Sequence, residues 1–265
     1  MKLEDQHGRT FSYLRIGVVD QCNLRCTYCM PEQGLQWISK KKWIQPEEFK
    51  TILHAFHNWG ISKIRFTGGE PFVRPDFIQI AQDASAVGFQ NISITSNGTL
   101  LQKAIPQLNH FGISKVNVSL DTLDRHRFHQ ITRRDVWDDV WNSILDLEEK
   151  EIAFRINTVL LRETAEAEVI QMMQLAHDKK WDWCFIEEMP FNGQGVAPDW
   201  NWNWRKIQSL IQSQFPDARH IAMSPGDTTE YFELSNGARL GFIAAFSRTF
   251  CGTCNRLRLT PNGNL

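Results

Sequence analysis

The chain has 265 residues, enough for one large domain or two smaller ones. Its 42% hydrophobic and 22% charged residues are close to the average of globular proteins, which excludes a disordered or fibrous chain. Lys and Arg total 29 against 30 acidic residues, so the balance argues against a nucleic-acid partner and leaves room for a local basic pocket. No apolar run is long enough to cross a bilayer and the N-terminus resembles no signal peptide, so we expect a cytoplasmic protein without a membrane partner.

Short apolar runs alternate with amphipathic segments through the first two thirds of the chain. This pattern predicts strands at Tyr13–Val19, Lys63–Thr67, Asn91–Thr95, Lys115–Leu120, Ala153–Leu160 and Asp182–Glu187. It predicts helices between them at Pro46–Trp59, Asp76–Val87, Leu100–Phe111, Val136–Lys150 and Glu166–Lys179. Strands separated by helices pair in parallel through right-handed crossovers, so we predict an α/β fold with a partial (β/α)6 TIM-type barrel. In such barrels the loops after the strands carry the chemistry.

The periodic pattern changes after Pro190, and we predict two regions, the partial barrel in residues 1–190 and a C-terminal segment in residues 191–265. Within the second region, Tyr231–Leu234 and Ala238–Phe242 flank an Asn-Gly pair. Two apolar runs joined by Asn-Gly are typical of a β-hairpin, because both turn residues adopt positive φ readily.

Cys22, Cys26 and Cys29 follow the first predicted strand at CX3CX2C spacing. Three thiolates on one short loop can hold three corners of a [4Fe–4S] cluster and leave the fourth iron free to bind a small molecule. A structural zinc site needs a fourth ligand, and the loop contains no His. A zinc knuckle, or a thioredoxin-like pair of Cys26 and Cys29, remains the alternative.

A second motif, Thr67-Gly-Gly-Glu-Pro71, follows the second predicted strand. Glycine lacks a Cβ and so permits a close approach of the backbone to a neighbour. With both motifs in these places, the chain resembles the radical S-adenosylmethionine (SAM) enzymes. The resemblance implies that the open iron binds SAM, and that cleavage of SAM gives a 5′-deoxyadenosyl radical that abstracts hydrogen from a substrate. It also implies a partial barrel of the radical SAM kind.

Within that superfamily the chain is similar to the GTP 3′,8-cyclases, the first enzymes of molybdenum-cofactor biosynthesis. The segments that carry this similarity are Asp5–Tyr28, Lys63–Pro71, Thr95–Gly98, Val116–Asp121, Ile156-Asn157, Phe185–Glu187, Met189-Pro190 and Phe250–Leu259. The similarity implies an enzyme that removes the ribose 3′ hydrogen of GTP and closes the ring onto C8, forming 3′,8-cyclo-7,8-dihydro-GTP. It further implies GTP as substrate, the next enzyme of the pathway as a partner and a homodimer as a candidate assembly.

The similarity carries over to individual positions. It implies SAM-binding residues at Tyr28, Gly69, Ser119 and Met189. It implies GTP-binding residues at Arg15, Arg65, Thr95, Arg155, Arg256, Leu257 and Arg258, with Lys63 as a weaker candidate. It implies ligands of two [4Fe–4S] clusters, the SAM-binding one at Cys22, Cys26 and Cys29 and a second one at Cys251 and Cys254.

Three positions depart from the pattern of the cyclases. The third cysteine of their second cluster has no counterpart before Leu265, so we expect an incomplete ligand set and a truncated C-terminal cap. Cys184 stands where the cyclases typically have an arginine that holds GTP, and Arg155 replaces a lysine. These departures keep two alternatives open: a related radical SAM enzyme with another substrate, such as a peptide, and a non-catalytic fragment that binds an iron–sulfur cluster.

Overall fold

The computed structural model describes residues 2–189, 202–224, 226–248, 252 and 254–265. Cys251 and the boundary predicted between residues 190 and 191 lie outside these described residues. Within them, no helix is both long enough and apolar enough to span a membrane.

Six parallel strands form the centre of the fold. A short antiparallel ribbon, β1 (Leu3–Glu4) with β2 (Thr10–Phe11), precedes them. The six are β3 (Tyr13–Val19), β4 (Lys63–Gly68), β5 (Asn91–Ser96), β6 (Ile113–Ser119), β7 (Phe154–Leu160) and β8 (Asp182–Glu187). Each pairs in parallel with the next, which confirms the predicted partial barrel.

The C-terminal strands extend this sheet at both edges. They are β9 (Arg219–Ile221), β10 (Glu230–Glu233), β11 (Arg239–Ile243) and β12 (Arg256–Leu259). Strand β11 pairs in parallel with β8, and β12 pairs in parallel with β3 at the opposite edge. Strands β10 and β11 form the predicted hairpin, and β9 adds to it. The strand order of the described sheet is therefore β12-β3-β4-β5-β6-β7-β8-β11-β10-β9.

Helices connect the strands and cover the outside of the sheet. They are α1 (Pro46–Asn58), α2 (Phe77–Val87), α3 (Arg125–Thr132), α4 (Trp137–Glu149), α5 (Glu166–Lys179) and α6 (Trp204–Gln214). The start of α1 is a capping box in which the backbone N–H of Gln45 donates to the Glu48 carboxylate at 2.7 Å. Pro46 occupies the first helical position, where its missing N–H costs no hydrogen bond.

The helix predicted at Leu100–Phe111 is wrong. This segment is a series of turns containing one 3-10 turn, Ile105–Gln107. Pro106 lies in its middle, where it lacks the N–H that an α-helix needs and clashes with the preceding turn. Conversely, the prediction missed α3, which Asp124 caps by accepting the N–H of Arg127 at 2.7 Å.

The alternation of side chains along β3 separates the core from the barrel interior. Leu14 and Ile16 are fully buried and belong to the core cluster that contains Phe49 of α1. Arg15 points to the other face, and its register partner across the sheet is Arg65 of β4. Arginines on neighbouring strands therefore face the barrel interior side by side.

Candidate active site

The three cysteines of the first motif, Cys22, Cys26 and Cys29, are free thiols in the loop that follows β3. Two arginines fix the backbone of this loop. Arg25 Nη1 donates to the carbonyl oxygen of Cys22 at 2.6 Å. Arg133, in the left-handed conformation (φ 56°) just after α3, donates to the carbonyl oxygen of Arg25 at 2.7 Å. The conformation of the loop is thus set by the end of α3.

The environment of these thiols suits ligands that a metal cluster must deprotonate. Burial raises the pKa of the Cys22 and Cys26 thiols above the ordinary value, so the free thiols stay protonated at neutral pH. Binding of a metal displaces those protons. Asn97 Nδ2 also lies 3.6 Å from Cys22 Sγ, as a donor to the sulfur. In the described part, no three Cys, His, Asp or Glu side chains surround a single-ion position.

The two glycines of the second motif pack against the residues that lead into the cysteine loop. A Cβ on Gly69 would lie 2.0 Å from the carbonyl oxygen of Gln21, and one on Gly68 would lie 2.1 Å from that of Val19. The N–H of Gly69 donates to Val19 at 2.7 Å, and that of Glu70 donates to Gln21 at 2.8 Å. Glycine is therefore required here for contact with the protein's own backbone.

Glu70 organises the space next to the cysteine loop, a role that the sequence did not indicate. Its carboxylate is fully buried and accepts hydrogen bonds from the N–H of Asn97 at 2.6 Å, the hydroxyl of Ser96 at 3.0 Å and the N–H of Phe72 at 3.2 Å. Burial raises the pKa of Glu70 to about 7, although these hydrogen bonds act in the opposite direction. Glu70 thus ties the ends of β4 and β5 together.

The residues predicted to bind SAM all lie towards the carboxyl ends of the parallel strands. Gly69 follows β4, Ser119 ends β6 and Met189 follows β8 with 37% of its surface exposed. Tyr28, in the cysteine loop, donates its hydroxyl to Asp121 Oδ2 at 2.8 Å. Burial raises the pKa of Asp121 to about 6. The structure places the four residues at the same end of the barrel as the three thiols.

A cavity of about 470 Å³ lies at the opposite end of the barrel, where the parallel strands begin. Its size is within the roughly 300–1,000 Å³ typical of small-molecule sites. The positively charged side chains that line it are Arg15, Lys63, Arg65, Lys115, Arg155 and Arg256. Asp227 is the acidic residue in the lining. The site is therefore strongly electropositive and suits an anionic ligand.

Most of the predicted GTP-binding residues are brought together by this cavity. Arg15, Lys63, Arg65, Arg155 and Arg256 line it, whereas Thr95, Leu257 and Arg258 do not. Leu257 packs against the hydrophobic core, and Arg258 is exposed. Lys115 was missed, although its ion pair with Asp182 at 2.8 Å partly neutralises it.

Buried polar atoms without a partner are concentrated around the same cavity. Among the lining residues in the described part, they are Tyr13 Oη, Arg15 Nε, Asn117 Oδ1, Arg155 Nε, Asn255 Oδ1 and Arg256 Nε. A buried donor or acceptor left without a hydrogen bond costs about 1–3 kcal/mol. Four of these atoms are donors, so an acceptor-rich ligand would relieve that cost.

The positively charged side chains that line the cavity repel one another. The pKa of Arg65 is lowered to about 10, chiefly by burial and also by the nearby Arg155, Arg15 and Arg256. Burial also lowers the pKa of Lys63 and that of Arg256, each with a contribution from neighbouring arginines. Bound phosphate groups would remove this repulsion by supplying negative charge.

Arg155 is held in the cavity by the hairpin of the C-terminal region. Its Nη1 donates to the Tyr231 hydroxyl at 2.5 Å and to Thr229 Oγ1 at 3.4 Å. Cys184, on the neighbouring strand β8, is completely buried and does not line the cavity. Burial raises the pKa of its thiol, so it contributes no charge to the site.

Of the second cysteine motif, Cys251 lies outside the described residues and Cys254 is a half-buried free thiol. The segment that leads to this motif is anchored by the buried carboxylate of Glu187. This carboxylate accepts the N–H of Ser247 at 2.8 Å, its hydroxyl at 2.5 Å and the N–H of Phe246 at 3.0 Å.

Two family patterns cover most of the chain. The radical SAM superfamily pattern matches residues 16–176, and that of Molybdenum Cofactor Synthesis C matches residues 181–265. The chain is 38% identical to "Molybdenum cofactor biosynthesis protein moc-5" of Caenorhabditis elegans over 98% of its own length and 44% of the relative's. It is 34% identical to the "GTP 3',8-cyclase" of Pelotomaculum thermopropionicum, over 99% of this chain and 82% of that one. The chain spans less than half the length of the animal relatives it matches.

Solved structures show the same fold at low sequence identity. Streptococcus suis SuiB matches with a TM-score of 0.64 and 17% identity, over 78% of this chain and 47% of SuiB. Methylornithine synthase matches with a TM-score of 0.63 and 16% identity, over 78% of this chain and 63% of that one. The two family patterns and the whole-chain relatives show that the chain belongs to the radical SAM superfamily, with a Molybdenum Cofactor Synthesis C region in its C-terminal part.

Proposed function

We propose that the protein is a GTP 3′,8-cyclase that forms 3′,8-cyclo-7,8-dihydro-GTP in molybdenum-cofactor biosynthesis. The observation that carries the proposal is the division of the barrel interior. Three thiols lie at the carboxyl ends of the strands, and an electropositive cavity with unpaired donors lies at the amino ends. Relatives that carry the cyclase name and align along nearly the whole chain support the same assignment.

The cationic lining is suited to a nucleoside triphosphate. Arginine presents a planar fork of donors that matches phosphate oxygens, and charge-assisted hydrogen bonds of this kind are the strong ones. We assign the phosphates to Arg15, Lys63, Arg65, Arg155 and Arg256. Thr95, Leu257 and Arg258 do not line the cavity, and they remain proposed contacts of the same ligand on the family similarity alone.

At the other end, Cys22, Cys26 and Cys29 would hold a [4Fe–4S] cluster, and Tyr28, Gly69, Ser119 and Met189 would line the SAM site. When bound, the cluster and SAM supply a radical that abstracts hydrogen, which no side chain of this protein could generate. The protein's own contribution is to orient the ribose towards that end and to hold the triphosphate at the other.

Several features extend the proposal beyond this site. Cys251 and Cys254 would be ligands of a second [4Fe–4S] cluster. The division into a barrel, residues 1–190, and a C-terminal region, residues 191–265, stays a prediction. So do a homodimer, an interaction with the next enzyme of the pathway and the cytoplasmic location; one relative is named as mitochondrial.

The proposal is tested by anaerobic reconstitution with iron and sulfide, followed by addition of SAM and dithionite with and without GTP. We expect 5′-deoxyadenosine formation that GTP stimulates strongly, together with a cyclised product detected by mass spectrometry. Cys26→Ala should abolish both. If 5′-deoxyadenosine forms at the same rate without GTP, the assignment of GTP is refuted while radical SAM chemistry stands. Iron counting adds a separate test, because about four irons per chain indicate one cluster and about eight indicate two.

A further inference from the structure

Tyr13, the first residue of β3, lies at the centre of the positive charges of the cavity. Its side chain lines the cavity, and only 6% of its surface is exposed. Measured to the centre of its ring, Lys63 Nζ lies at 4.9 Å, Arg65 Cζ at 5.7 Å, Arg256 Cζ at 5.7 Å and Arg15 Cζ at 5.8 Å. Four cations therefore share one aromatic ring.

This arrangement counteracts the repulsion among the four cations. The π-system of a tyrosine carries partial negative charge on its face and attracts a cation within about 6 Å of the ring centre. Such attraction is strongest where water is excluded, and burial here is sufficient to lower the pKa of Lys63 and of Arg65. An aliphatic residue in place of Tyr13 would leave the same charges without this common attraction.

The hydroxyl of Tyr13 supplies a second feature. It is buried and has no hydrogen-bond partner among the described residues. A buried hydroxyl without a partner is costly, and the same is true of the neighbouring Nε atoms of Arg15 and Arg256. These three donors border one cavity, so one acceptor-rich ligand could satisfy all of them.

We propose that Tyr13 assembles the anion site: its ring holds the four cations together, and its hydroxyl donates to a phosphate oxygen of the ligand. The identification of that ligand as GTP rests on the proposed function. The role in binding a polyphosphate does not, since it follows from the ring, the cations and the unpaired hydroxyl.

The test compares Tyr13→Phe, which keeps the ring, with Tyr13→Leu, which removes it. Binding of inorganic tripolyphosphate and of GTP to the reconstituted protein is measured by calorimetry. We expect Tyr13→Phe to weaken tripolyphosphate binding about 3- to 10-fold, the effect of one hydrogen bond. We expect Tyr13→Leu to weaken it by about 10-fold more, because the shared cation–π attraction is lost as well. The matched control is Phe56→Leu, a buried aromatic of α1 outside the cavity.

SAM affinity serves as the internal measure of correct folding, since its proposed site lies at the other end of the barrel. If the role of Tyr13 is purely structural, its variants should bind both SAM and tripolyphosphate more weakly, to similar extents and in the same way as Phe56→Leu. That result would overturn the proposal. So would tripolyphosphate binding within twofold of wild type in both Tyr13 variants. If Tyr13→Leu does not fold, the test rests on Tyr13→Phe, and a tripolyphosphate affinity within twofold of wild type in that variant overturns the proposal. Tripolyphosphate binding that depends on Tyr13, in a protein that GTP does not stimulate, would support Tyr13 and refute the cyclase assignment.

Discussion

Replacing Gly69 by alanine should disrupt the cysteine loop, although Gly69 is not part of that loop, because Gly69 contacts the backbone that leads into it. The new Cβ would lie 2.0 Å from the carbonyl oxygen of Gln21 and 2.7 Å from that of Asp20, well below the 3.0 Å limit of real contacts. The chain before Cys22 must then move by about 1 Å, which breaks the hydrogen bonds that Val19 and Gln21 accept from the Gly-Gly-Glu segment. With about 1–3 kcal/mol for each of the two hydrogen bonds lost, we expect a decrease of roughly 2–6 kcal/mol in the free energy of unfolding.

The assay is anaerobic reconstitution followed by iron and sulfide determination and spectroscopy of the reduced cluster. Gly69→Ala should retain less than half of the iron of the wild type in the SAM-binding cluster. The matched control is Gly237→Ala in the hairpin turn, whose Cβ would meet nothing within 4 Å but whose positive φ of 89° also makes alanine unfavourable. Wild-type iron content and an unchanged cluster spectrum in Gly69→Ala would refute the argument from this close approach.

Three further results follow from the structure. Burial raises the pKa of Glu70 from an ordinary 4.5 to about 7, so its carboxyl ionises at a lower pH in the unfolded state than in the folded one. The apo-protein should therefore lose up to about 3 kcal/mol of stability as pH rises from 4.5 through 7. Thermal unfolding at a series of pH values should show this loss, and Glu70→Gln should reduce its dependence on pH. Arg65→Met should weaken GTP binding about 10- to 100-fold in calorimetry while SAM binding is unchanged, and an affinity within twofold of wild type would contradict the assignment of the cavity. Iodoacetamide should modify the exposed Cys29 of the native apo-protein and spare the fully buried Cys184, so rapid labelling of Cys184 in peptide maps would contradict its burial.

The six parallel strands could be predicted because their signals are local. Alternating or continuous apolar runs bounded by glycine and by helix caps depend only on neighbouring residues. The helix predicted at Leu100–Phe111 is wrong for an equally local reason, since Pro106 interrupts a segment whose apolar spacing is otherwise helical. The short helix α3 was missed because only its Asp124 cap marks its start.

The location of the anion cavity could not be read from the sequence. We expected the chemistry in the loops after the strands, and this holds for the cysteines. The cavity forms instead where the strands begin, since Thr229, Tyr231 and Arg256 return from the C-terminal region to meet Tyr13. Contacts between residues so distant in sequence leave no periodic signal.

Glu70 illustrates a further limit. A glutamate after two glycines predicts a turn or a ligand contact, whereas its full burial and its hydrogen bonds to Ser96 and Asn97 depend on the pairing of β4 with β5. Tyr13 is similar, because the convergence of four cations on its ring requires three strands in register. The only available signal was the placement of Tyr13 directly before an apolar–arginine alternation.

The pairing of β12 with β3 determines when the anion cavity can form during synthesis. Asn255 Nδ2 donates to Ser12 Oγ at 3.2 Å across a sequence separation of 243 residues. The outer edge of the first barrel strand therefore stays unpaired until β12 has been synthesised. Contacts of such long sequence separation form late, because their loop-closure entropy must be offset by structure already in place. A nascent chain therefore exposes an unpaired strand edge together with a group of uncompensated positive charges. A polyphosphate that binds only the completed cavity would shift the docking of β12 onto β3 towards the native state.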